Sequence, residues 1–196
     1  MNLQPLSKMP FSSGAAWPEF AILNKEVAKV FLYLVVPFSL LPPAMIALVG
    51  IQHGNGVSDT YWSGFASVLF VAEILSVSLM SWLIGYSARA RHEEISYRNS
   101  YLLAAIAPIP LWLSSLGLLV PSLPFNVALS AVALCLSGGL VYHGIRSFCS
   151  IREGAHAGAM TRVVFGAGLL VWAALLTLSF QFSGVTLVPG IGVTIM

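Results

Sequence analysis

Five long apolar blocks, at residues 30–51, 61–86, 101–120, 124–145 and 163–182, dominate this chain. Each is close to the roughly 20 residues with which a helix crosses about 30 Å of hydrocarbon, at ~1.5 Å per residue. The blocks lack the strict alternation of strands, and the chain has none of the ~10-residue alternating segments of a transmembrane barrel. Lipid offers the backbone no hydrogen-bond partner, so the blocks predict an all-α, polytopic bundle of five transmembrane helices. Composition excludes the soluble alternative. Only 8% of the residues are charged and 58% are hydrophobic, against about 25% charged in soluble domains.

The basic residues predict the orientation. Lys8, Lys25 and Lys29 precede the first block, and Arg89, Arg91 and Arg98 lie between or flank the second and third. Arg146, Arg152 and Arg162 flank the fourth and fifth. All nine Lys and Arg therefore fall on one side of a five-span chain, while residues 52–60, 121–123 and 183–196 carry none. The positive-inside rule then places the N-terminus in the cytoplasm and the C-terminus outside. An odd number of spans is needed for that partition, which supports the count independently of hydropathy. The net charge of +2 is largely topological and calls for no nucleic-acid partner. A cleavable leader is not expected, because the first apolar run begins only near residue 30 and is too long.

Three regions follow. Residues 1–29 form a cytoplasmic N-terminal segment in which Trp17-Pro18 opens a helix, with Phe20, Leu23, Val27 and Val30 on one face and Lys25, Glu26 and Lys29 on the other, either as an interfacial helix or as an extension of the first span into water. Residues 30–183 form the transmembrane domain, and residues 184–196 an external apolar tail broken by Gly and Pro. Residues 120–124, VPSLP, are too short for anything but a hairpin between the third and fourth spans. Ala131, Cys135 and Gly139 recur at intervals of four on the fourth span, a stripe on which a second helix can approach closely. Cys135 and Cys149 are expected to be free thiols on or near the reducing side.

No phosphate-cradling GxxxxGK[ST] loop, HExxH, CxxC or GxSxG occurs, and His92-Glu93-Glu94 reads as a solvated charge run instead of a metal cluster. No enzymatic activity, cofactor or metal is expected. Glu73, in LFVAEILSVSL, is different. It lies 12 or 13 residues from either end of its block, hence ~18–20 Å deep and near the bilayer centre. An ionised acid at that depth costs roughly 2.5–3.5 kcal/mol, so it must be protonated, paired or facing water. With no Lys or Arg at that depth, the expectation is a protonated carboxyl donating a hydrogen bond to a carbonyl freed by proline. Pro42 and Pro43 release the carbonyls of Phe38 and Ser39, and the third span repeats the device with Pro108 and Pro110, followed by Ser114 and Ser115. A carboxyl beside kinked helices at the midplane is the arrangement of transporter substrate sites, and also a way for a packed bundle to satisfy its own backbone. His143, at the end of the small-residue stripe, is a secondary polar candidate.

From Pro108 to Met160 the text PIPLWLSSLGLLVPSLPFNVALSAVALCLSGGLVYHGIRSFCSIREGAHAGAM resembles the core of the Yip family of Ypt- and Rab-interacting membrane proteins, in its small prokaryotic branch. The likeness rests on the proline-bounded turn, on Tyr142-His143-Gly144-Ile145 and on the charged SIREG segment. LLPPAMIALVG in the first span is similar to the same branch. The resemblance covers the last hundred residues well and the first hundred loosely. It implies five spans, a cytoplasmic N-terminus and residence in a bacterial inner membrane. It does not carry over GTPase binding, because only about 29 residues precede the first span in place of the long cytoplasmic domain of trafficking members.

The reading is a multi-pass membrane organiser or scaffold acting through helix packing and cytoplasmic loops, with the lipid bilayer and a second copy or another membrane protein as partners. The alternative is a small oligomeric transporter or channel subunit with Glu73 as its protonatable site and the kinks at Pro42, Pro43, Pro108 and Pro110 around it.

Overall fold

The computed structural model describes residues 17–18, 26–53, 59–149, 154–182, 185–186 and 194–195. Among them are five helical spans long and apolar enough to cross a membrane: Val27–Ile51, Tyr61–Arg89, Tyr97–Leu119, Leu123–Phe148 and Ala157–Leu178. All five predicted spans are present, with ends displaced by a few residues.

Proline decides how the first span is assembled. It comprises α1 (Val27–Val30), a π turn (Phe31–Val35), α2 (Val36–Ser39) and α3 (Leu41–His53), with a break at Leu40. Pro37 cannot donate to the carbonyl four residues back, and ahead of it the helix widens so that the Val36 N–H reaches Phe31 O. Pro42 and Pro43 sit in the first turn of α3, where N–H groups have no intrahelical acceptor and the missing donors cost little. The predicted interruption is thus a restarted helix.

The second span is a single helix, α4 (Asp59–Arg89). It ends in a Schellman motif: Glu93 N–H donates to Ala88 O at 3.0 Å, His92 N–H donates to Arg89 O at 3.1 Å, and His92 takes φ +58° where glycine is usual. Ser96 Oγ accepts from Asn99 N–H at 3.2 Å and starts α5 (Tyr97–Ile106). A turn at Ala107 and Pro108 leads into α6 (Ile109–Ser114) and a 3₁₀ turn (Ser115–Leu119). After the hairpin, where Asn126 Nδ2 donates to Val120 O at 3.1 Å, come α7 (Leu123–Phe148) and α8 (Gly154–Phe182). Beyond α8 the β-branched pairs Val185–Thr186 and Thr194–Ile195 form a two-residue antiparallel ladder outside the all-α bundle.

α4 packs against α3, α5 and α8, while α7 packs against α5, α6 and α8. The third span is innermost, with every side chain of residues 100–106 buried. Outward-facing Leu75, Leu79, Trp82 and Leu170 are more than half exposed, which suits a surface bathed in acyl chains. Trp17 is fully buried, edge-on to Phe148 at 5.4 Å, in the same core cluster as Leu103 and Ile145. It packs against the fourth span. Of the face expected to lie in the interface, Val30 is buried in the same cluster with Val27 packed against it, and Phe20 and Leu23 lie outside the described residues.

Candidate intramembrane site

The depth of Glu73 follows from the length of α4, and its surroundings from the breaks in the neighbouring spans. A cavity of about 230 Å³ opens inside the bundle, lined from all five spans. Pro42 and Ile46 come from the first, and Leu69, Glu73, Ser76 and Met80 from the second. Pro108, Leu111, Trp112, Ser114 and Ser115 come from the third, Asn126, Leu134 and Ser137 from the fourth, and Phe165, Gly168 and Trp172 from the fifth. Most of the wall is hydrocarbon, and Glu73 is the one ionisable side chain among the described residues that line it.

The carboxyl is held by Trp112, whose indole Nε1 donates to Glu73 Oε2 at 3.0 Å. Glu73 thus accepts a hydrogen bond from a side chain that the sequence does not single out. The reason is geometric. Restarting the helix at Pro42 leaves Ser39 buried with its own hydroxyl donating to Val36 O, while the turn at Ala107 and Pro108 swings α6 so that Trp112 points at α4. An indole N–H can only donate, and it serves a neutral or an ionised carboxyl alike. A depth count could have found it: Trp112 is 11 residues into its predicted block and Glu73 is 13 from the same side, so they differ by only ~3 Å.

The other candidates separate. Pro42, Pro108, Ser114 and Ser115 line the cavity with Glu73, whereas Pro110 borders a different groove with Leu113 and Val132, and Pro43 borders neither. His143 lies on α7 away from the cavity, half-buried beside the Tyr142 ring at 5.2 Å, with Arg146 6.0 Å from that same ring. Asn126 and Ser137 were not singled out in the sequence, because isolated polar residues in a span carry no sign of the direction they face.

A five-span bundle with an acid facing an internal cavity defines the class, a polytopic membrane protein. Family comparison completes the picture: the Yip1 domain model matches residues 8–175, and the chain belongs to the Yip1 domain family. The match takes in both halves of the chain, including the span that carries Glu73. The inner membrane protein YohC of Escherichia coli strain K12 is 31% identical over 174 residues, which cover 82% of this chain and 88% of that protein. YohC of Escherichia coli O6:H1 strain CFT073 matches to the same extent. No solved structure matches. The chain is a multi-pass inner-membrane protein in contact with the lipid bilayer.

Proposed function

We propose that this protein is a non-enzymatic, oligomeric transport or channel subunit in which Glu73 is the protonatable intramembrane site. The observation that carries the reading is the position of the carboxyl, which faces a cavity lined from all five spans instead of a packed interior. Broken spans on two sides of that cavity, at Pro42 and Pro108, give it the construction of a midplane binding site. Five spans are few for a carrier acting alone. The bundle leaves Ala131 and Cys135 of the small-residue stripe on its outer surface, where a second copy can dock. The test is proton and cation flux in proteoliposomes, comparing wild type with Glu73→Gln, which keeps shape and hydrogen bonding but releases no proton. Flux in wild type and none in the variant supports the reading; no flux in either rejects it.

A second reading, a membrane organiser without transport, is favoured by the same outward stripe. Oxidative cross-linking in native membranes distinguishes them, since Cys135 is exposed and Cys149 is buried. Dimers through Cys135 combined with no flux support the organiser, and monomers alone count against both.

A further inference from the structure

Three of the cavity's hydroxyls turn their hydrogens away from it. Ser76, Ser114 and Ser115 each give their single hydroxyl hydrogen to a carbonyl of their own helix, at 2.7, 2.7 and 2.6 Å, so toward the cavity they offer lone pairs only. The Trp112 N–H is engaged by Glu73. Asn126 donates through Nδ2 to Val120 O, and its Oδ1 is buried with no partner. Ser137, 3% exposed and lining the same cavity, also has an Oγ without a partner. Buried polar atoms are nearly always hydrogen-bonded, so Asn126 Oδ1, an acceptor, and the Ser137 hydroxyl, which can accept or donate, mark places where a polar group of an occupant is accommodated. Among the described residues, the cavity wall contains no Lys, Arg or His to balance a charge on Glu73.

We propose that the cavity binds a small lipophilic ammonium compound, with its N–H donors toward Glu73 and its apolar body against Leu69, Leu134 and Phe165. Size sets the class: an apolar cavity of ~150 Å³ takes up benzene, and about 230 Å³ accommodates one aromatic ring with a short aminoalkyl arm. A bare metal cation would gather about six oxygens in one shell and leave the hydrocarbon wall unused. A neutral apolar molecule would give Glu73 no second donor beside the Trp112 N–H and would leave Asn126 Oδ1 unpaired. The inference rests on the reading of Glu73 as the working site and names its occupant. Because binding is measured apart from flux, the two can fail separately.

The experiment is equilibrium binding of radiolabelled 2-phenylethylammonium to the full-length protein in lipid nanodiscs, with 2-phenylethanol as neutral counterpart and sodium as competitor. Saturable binding of the amine is expected, weakened about tenfold or more by Glu73→Gln, while the alcohol binds both forms alike. Gly168→Val is the second variant. A Cβ there has Met80 Cε as its nearest neighbour at 3.7 Å, an ordinary contact, and Gly168 lines the cavity, so the larger side chain is expected to take up space inside it. It is expected to abolish amine binding with Glu73 intact, which covers a failure of Glu73→Gln to fold. No saturable binding to wild type, equal affinity in both variants, or displacement by sodium at matched concentration overturns the proposal. Amine binding without flux keeps the site and rejects transport.

Discussion

Gly50→Ala is expected to destabilise the bundle through one neighbour only. Gly50 is buried in α3, and a Cβ added there would run into the six-membered ring of Trp62, at Cδ2, Cε3 and, at 2.7 Å, Cε2. Trp62 is 6% exposed, a large rigid ring with little room to retreat. Forcing a methyl group into such a contact costs ~1–3 kcal/mol. Against this, Ala is better than Gly in a helix interior by ~0.5–1 kcal/mol. At the middle of both ranges the net loss is ~1 kcal/mol, and at ~2–4 °C per kcal/mol for a chain of this size Tm falls by a few degrees. Replacing the ring reverses the sign. In a Trp62→Ala background the clash is gone and only helix propensity remains, so Gly50→Ala is expected to raise Tm slightly. The assay is thermal unfolding of the four proteins of the cycle in one detergent, with an expected coupling of ~1–3 kcal/mol. An unchanged or raised Tm in the single variant, or an equal fall in both backgrounds, would refute the assignment of Trp62 as the close neighbour of Gly50.

Three further outcomes follow from local chemistry. Burial, with a smaller contribution from the Glu93 carboxylate, pushes the Cys149 thiol from its ordinary 9.0 up to about 11. With Cys135→Ala as the background, its alkylation at pH 8 is expected to be about a hundredfold slower than that of a thiol at the ordinary value, and to rise about tenfold per pH unit toward 11. The folded state holds this proton more tightly than the unfolded one, so the associated stability is complete below pH 9.0 and disappears as pH approaches 11. A rate that levels off near pH 9 refutes the burial. Ser96→Ala removes the acceptor for Asn99 N–H and is expected to cost ~1 kcal/mol in unfolding experiments, with Ser96→Asp close to wild type. His92→Gly relieves a side chain held at φ +58° and is expected to raise stability by up to ~1 kcal/mol; a fall would show that the imidazole makes a compensating contact.

Much of this molecule was legible in its sequence because the bilayer sets lengths. A helix that must cross a fixed thickness announces itself by its run of apolar residues, and the five spans, the breaks at proline and the depth of Glu73 all follow from counting. What the count could not supply is direction. In water a helix labels its buried face by contrast with a polar one, but lipid is as apolar as a protein core, so the exposed Leu75 and the buried Leu103 read alike. That is why only the tertiary structure showed the third span to be innermost, Trp17 to be anchored on the fourth and Ala131 to face outward. The same reason hid the partner of Glu73. A carbonyl freed by proline is visible in the sequence, but whether the chain leaves it open or restarts the helix, and which side chain the turn at Pro108 then carries toward the acid, is decided by packing across the bundle.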